Sequence, residues 1–206
     1  MARKASVKKH SWGGSRTKGK KRPFREEEVQ LIRASLKAAK ELLQLALFET
    51  AISTCLRSSD LLELRWDQLI SAPLGSPPGI AARIDVKQQK TGRVVPVVLG
   101  ERAREALWAY KLWLDENETA LPGRAFRLNR DQYAVLVKSW AKIAHLDPRY
   151  YSTHSMRRTR PSHVFSRTRN VKVAAELLGH TDMSHTGAYL GLDTEDALRI
   201  AEEHDL

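Results

Sequence analysis

Between Thr153 and Arg160 the chain places His154 and Arg157 three positions apart, with Arg158 and Arg160 directly behind them. On a helix that spacing puts the imidazole and the guanidinium on one face. A histidine beside a guanidinium suits a packed core poorly and a phosphate well, because arginine offers a planar pair of donors that stays charged. Further pieces lie along the chain: Arg57 just ahead of Leu61, Leu62 and Leu64; Lys90-Thr91-Gly92; and Leu177-Leu178-Gly179-His180, followed by Tyr189. A phenol, with a reference pKa of about 10, is a weak nucleophile at neutral pH until a base or a positive field assists it. Two arginines and a histidine supply fixed donors for the charge that develops on a phosphodiester, without a metal. Taken singly, Tyr189 reads as a core aromatic, Arg57 as a surface charge and Lys90 as an ordinary turn lysine. His154, His163, His180 and His185 invite a metal reading, but the gap from His180 to His185 is not a typical chelating spacing on a helix and Cys55 is the one cysteine, so no metal site is expected.

Such side chains need elements to bring them together. Glu26 to about Leu47 reads as one helix, since apolar positions recur and neither Gly nor Pro interrupts them. A second helix is expected over Ser59 to Leu69, capped by Ser58 or Ser59. The Pro- and Gly-rich stretch 71–79 must be loop. Ile80 to Lys87 and Arg93 to Leu99 are rich in Ile and Val and flank Lys90-Thr91-Gly92, which predicts a β-hairpin with a lysine at its turn. Helices follow over Glu101 to Asn117 and Asp131 to His145, then shorter ones from His154, over Val171 to Leu178, around Ser184 to Leu190 and over Thr194 to Glu203. Thr153 and Asp193 are the candidate N-caps of the first and last of these. Pro161 falls inside the helix begun at His154, where a proline removes a backbone bond and costs about 3 kcal/mol, so that helix should kink or end there. Trp66, Trp108, Trp113 and Trp140 fall in helices and are expected mostly in the core. The fold class is mainly α with a small antiparallel β-sheet.

Charge points to the partner. Among 206 residues, Lys and Arg number 35 against 24 Asp and Glu, a formal +11. Nearly all of that excess sits in residues 1–25, which carry Arg3, Lys4, Lys8, Lys9, Arg16, Lys18, Lys20, Lys21, Arg22 and Arg25 and no acidic residue. With Gly13, Gly14 and Gly19 and few apolar side chains, this stretch is expected to be a disordered basic tail, ahead of one domain over 26–206. It reads either as an arm that neutralises phosphates or as a solubilising tail. One cysteine excludes an internal disulfide, and no apolar run approaches the roughly 20 residues of a membrane span or forms a signal peptide. A soluble, cytoplasmic, nucleoid-associated protein with no membrane partner is expected.

The order of an arginine before a Leu-rich helix, a hairpin lysine, His-x-x-Arg, Leu-Gly-His and a following tyrosine resembles the catalytic domain of the tyrosine recombinase (phage integrase) family. The likeness spans about Phe48 to Glu203 and is strongest from Tyr151 onward. It implies that Tyr189 is the nucleophile that becomes joined to a DNA 3′ end, and that Arg57 and Arg157 hold the non-bridging oxygens of the scissile phosphate. Lys90 then resembles the turn lysine that protonates the departing 5′ oxygen, His154 the histidine that moves the nucleophile's proton, and His180 the residue that bonds the phosphate in the transition state. Asp60 occupies the family's acidic position and is expected to orient Arg57. No cofactor is implied.

The resemblance further implies double-stranded DNA as partner, a dimer on each site and a tetramer in synapsis, with integration or inversion as the reaction. Because a short basic tail stands where two-domain members carry a helical domain, the chain looks like the single-domain branch, similar to fimbrial phase-variation recombinases, or like a fragment. Lys20, Lys21, Arg22, Arg127, Arg130, Lys138, Lys142, Arg158 and Arg160 are candidates for DNA backbone contact. The amphipathic Thr194 to Leu206 is expected to dock on a neighbouring subunit. Cys55 stands where the family usually has glycine. Pro161 and the missing first domain motivate a rival reading, a DNA-binding regulator without turnover; a topoisomerase or telomere resolvase would use the same chemistry.

Overall fold

In the computed structural model, which describes residues 21–72, 77–117 and 123–179, the element that organises the domain is a helix with almost no polar face. This is α2, Leu42–Thr54, which buries Leu45, Ala46, Leu47, Phe48, Ala51 and even Glu49, Thr50 and Thr54. A helix apolar nearly all round belongs inside a domain, and α2 is packed by α1 (Glu26–Ala38), α5 (Glu101–Glu116) and α7 (Thr153–Thr168). The outer α1 shows the complementary pattern, with Val29, Ile32 and Leu36 on one buried stripe.

The single helix expected from Glu26 to Leu47 is thus two. The break falls at Lys40, which takes a left-handed conformation (φ 55°) with no glycine or proline to announce it. The helix expected over Ser59 to Leu69 is likewise split into α3 (Ser58–Leu62) and α4 (Trp66–Leu69). Strands β1 (Ile70–Ser71) and β2 (Gly79–Ile80) pair across the loop between them. Strands β3 (Arg83–Lys87) and β4 (Val94–Val98) form the predicted antiparallel hairpin, in register from Arg83 opposite Val98 to Lys87 opposite Val94. On β3 the pleat turns Ile84 and Val86 inward and Arg83, Asp85 and Lys87 outward. Helix α6 (Arg130–Ile143) is closed at its start by a capping box between Asn129 and Gln132. Its Trp140 and Tyr133 fill the core, edge-on to each other and, for Trp140, to Phe48. Trp66 is buried too, whereas Trp113 is largely exposed, against expectation.

Helix α7 runs unbroken through Pro161, which corrects the expectation of a stop there. Packing of this segment, where Ser155, Met156, Thr159, Pro161 and Phe165 are all buried, outweighs the lost backbone bond. Its cap is Ser152, one residue earlier than expected, whose hydroxyl accepts from the His154 N–H. Helix α8 (Val171–Leu178) starts on Asn170 and ends on Gly179 in the left-handed region (φ 60°).

The boundary of the tail also moves. Residues 21–25 lie against the domain instead of forming the end of a loose arm. Phe24 is 0% exposed and stacks on Tyr151 at 4.6 Å. Its N–H donates to Thr159 Oγ1 at 3.1 Å, and its carbonyl meets His163 Nε2 at 2.8 Å. Among the described residues, no helix is long and apolar enough to cross a membrane.

Candidate DNA phosphate site

Four elements distant in sequence deliver their polar side chains to one cleft of about 420 Å³, lined by Arg57, Ser58, Ser59, Gln89, Lys90, Arg130, Thr153, His154 and Arg157. The turn after α2 brings the first arginine there. Cys55 ends α2 in the left-handed region (φ 54°), a conformation that glycine adopts without penalty, and Arg57 becomes the residue that opens α3. Burial pushes the Cys55 thiol up to about 12, so that it is inert as a nucleophile.

Helix α7 brings the histidine and the second arginine, stacked one turn apart as their spacing predicts. Arg157 is only 5% exposed. Its Nη1 donates to the Cys55 carbonyl at 2.6 Å and its Nη2 to the Leu178 carbonyl, so one guanidinium ties the ends of α2 and α8 to α7. His154 stands at the exposed side of the same helix face. Partial desolvation in the cleft, and then the guanidiniums of Arg157, Arg158 and Arg57, hold its pKa below the ordinary histidine value. It is therefore neutral at neutral pH and able to take a proton. The hairpin brings Lys90, exposed at its turn, where Gly92 supplies the positive φ (67°) that closes the loop.

Asp60 reaches across to the hairpin. Its buried carboxylate accepts the backbone N–H of Gln89 at 3.0 Å and the Ser59 hydroxyl at 3.3 Å, while Arg57 Nη1 donates to Gln88 Oε1 at 2.9 Å. Asp60 thus holds the hairpin tip that carries Lys90, and the side chain bonded to Arg57 is Gln88. Gln88 went unnoticed in the sequence, although the alternation of Ile84 and Val86 continues to it and turns it inward.

The basic residues expected on the DNA backbone divide. Arg127 and Arg130 are exposed, and Arg130 lines the cleft itself. Arg158 is buried and donates to the Lys21 carbonyl at 2.5 Å, and Arg160 turns in to the carbonyl of Ser53. Both of these candidates for DNA backbone contact thus donate inward to the main chain of the domain. Lys21 donates to the Arg149 carbonyl at 2.5 Å and Arg22 lies 4.8 Å over the Tyr150 ring. Tyr189, His180, Lys20 and the segment Thr194 to Leu206 lie outside the described residues.

Comparison with known proteins places this cleft in context. Residues 22–196 match the phage integrase family. The tyrosine recombinase XerC of Erythrobacter litoralis is 30% identical over 142 residues, which cover 68% of this chain and 46% of that protein. The chain spans about half or less of the length of the curated relatives it matches. The crystal structure of XerA recombinase superposes over 91% of this chain and 65% of its own, with a TM-score of 0.67 at 16% identity. A lambda integrase dimer bound to a COC′ core site superposes over 84% of this chain and 60% of its own, with a TM-score of 0.59 at 21% identity.

Proposed function

The chain belongs to the phage integrase family, and from that premise we propose that it is a site-specific DNA recombinase that breaks and rejoins duplex DNA through a 3′-phosphotyrosyl intermediate on Tyr189. The observation that carries this reading is the convergence of Arg57, Lys90, His154 and Arg157 on one cleft. Their separation along the chain has no structural need to bring four cationic or titratable groups together, and the mutual repulsion of such groups is relieved by an anion.

The placements of Arg57, Lys90, His154 and Arg157 support the following chemistry, in which Tyr189 enters through the family resemblance. A scissile phosphate in the cleft meets Arg57 and Arg157, whose charges oppose the negative charge that builds on its non-bridging oxygens. The Tyr189 hydroxyl attacks phosphorus while His154, neutral because its pKa is depressed, accepts the phenolic proton. The bond from phosphorus to the 5′ oxygen breaks, and Lys90 gives that oxygen its proton. The tyrosyl ester keeps the energy of the broken bond, so attack by the 5′ hydroxyl of a second strand restores a phosphodiester without a nucleotide cofactor. His180 joins this set through the family resemblance, as a donor to the phosphate. Arg130, which lines the cleft, and the exposed Arg127 make DNA backbone contacts.

Double-stranded DNA and a dimer on each site join the proposal, supported by the similarity to a lambda integrase dimer bound to a core site, and the family resemblance adds a tetramer during exchange. Of the two motives for the rival reading as a silent regulator, the one resting on Pro161 falls away, because α7, which carries His154 and Arg157, continues past Pro161. The test is covalent capture. Nicked duplexes with a randomised core, incubated with the protein, should yield an SDS-resistant adduct that maps to Tyr189 by mass spectrometry and is abolished in Tyr189→Phe. An adduct on another residue, or none with any sequence, overturns the reading.

A further inference from the structure

We infer that Gln88 is a positioning residue that fixes Arg57 and the Lys90 turn relative to one another in the cleft. The inference rests on the proposed recombinase chemistry and adds a residue to it. Gln88 is 3% exposed, and a buried primary amide in a hairpin has to find partners. Its Oε1 accepts from Arg57 Nη1 at 2.9 Å and from Thr91 Oγ1 at 2.9 Å. Its carbonyl accepts the Gly92 N–H at 2.8 Å, and its own N–H donates to the Arg93 carbonyl at 2.8 Å. One residue therefore grips the turn that carries Lys90 by its main chain and Arg57 by its side chain.

Two more features fit this role. The pleat that turns Ile84 and Val86 inward brings Gln88 to the same side one step later, so the side chain reaches Arg57 without distorting the strand. At the other end, its amide nitrogen lies 2.9 Å from the point that a side-chain carbon would occupy at Gly179. Helix α8 thus ends on a residue without a side chain where the amide packs. The choice of amide over carboxylate matters as well. A neutral acceptor orients the guanidinium and leaves its charge for the phosphate, whereas a carboxylate would partly cancel it.

The experiment uses the full chain and the duplex sequence that wild-type protein captures, made with oxygen or with sulfur as the 5′ bridging atom. A thiolate leaves without a proton, so the sulfur substrate removes the need for Lys90 alone. In single turnover, Gln88→Met is expected to cleave the oxygen substrate roughly 10²-fold more slowly, the scale of a misplaced catalytic group, with duplex binding unchanged. Sulfur should restore part of that loss and leave the part due to Arg57. Gln88→Glu keeps both acceptor bonds and should recover at least about tenfold over Gln88→Met. A wild-type rate for Gln88→Met, an equal loss of binding and cleavage, or no gain with sulfur overturns the assignment. Should Gln88→Met melt below the assay temperature, Gln88→Glu decides alone: a loss as deep as that of Lys90→Ala also overturns it. Absence of capture by the wild-type protein removes the recombinase reading itself, a different outcome from any of these.

Discussion

Arg157 enters the cleft from a 16-residue helix, buried, with both terminal nitrogens donating to main-chain carbonyls at the ends of two other helices. Lys90 enters from the exposed turn of a two-stranded hairpin, held through its neighbours Gln88 and Gln89. The contrast matches the role proposed for each group. A donor that stabilises developing charge works best when it is already fixed, since reorganisation at the moment of reaction would cost the benefit. A proton donor has to reach an oxygen that moves as its bond breaks, and a tip anchored one residue away permits that reach.

Paired substitutions sharpen this difference. Arg157→Ala should lower single-turnover cleavage by roughly 10³-fold and lower the unfolding free energy by about 3 kcal/mol, because it leaves buried carbonyls without their donor. Lys90→Ala should lower cleavage by roughly 10²–10⁴-fold and change stability by less than about 0.5 kcal/mol. Denaturant titration beside the cleavage assay separates the two; equal destabilisation by both would erase the distinction.

The anchored side extends beyond α7. Phe24 stacks on Tyr151 and the adjoining main chain bonds to Thr159, His163 and Arg158, so residues 21–25 brace the helix that carries His154 and Arg157. Phe24→Ala should therefore destabilise the domain by about 3–5 kcal/mol in chemical denaturation. A loss below about 1 kcal/mol, the scale of a surface residue, would show that this segment is not part of the fold.

A smaller effect concerns the exposed side of α7. The His154 pKa lies below its ordinary value because the cleft desolvates it and Arg157, Arg158 and Arg57 repel its charged form. In the proposed role of base His154 acts when neutral, so activity should fall as pH drops through its pKa. With subsaturating DNA, which reports the free enzyme, the acidic limb should have its midpoint below about 6.5. A midpoint above that value would place His154 beside a carboxylate instead of guanidiniums.

The parts of the molecule that follow local rules were legible in the sequence. Helix α8 runs over Val171–Leu178, as its apolar spacing and following glycine suggest, and the hairpin placed Lys90 at its turn. What escaped depends on contacts between distant segments. The break at Lys40 carries no breaking residue, and Phe24 is a single apolar side chain in a basic run. Pro161 misled because helix propensity is a weak prior beside the packing of α7. For Asp60, the bond to Gln89 crosses 29 residues, and no local pattern announces it. The inward turn of Gln88 was readable from β3, yet nothing local announces that Arg57 awaits it.

The central claim is that Arg57 and Arg157 act on the same scissile phosphate. It is tested most directly with duplexes in which one non-bridging oxygen is replaced by a methyl group, removing the phosphate's charge, either at the cleavage position or one nucleotide away. The account predicts that Arg57→Ala and Arg157→Ala, both defective on ordinary DNA, regain cleavage when the neutral group sits at the cleavage position and not when it sits beside it. Rescue of one variant at one position and of the other elsewhere, or of neither, would contradict it.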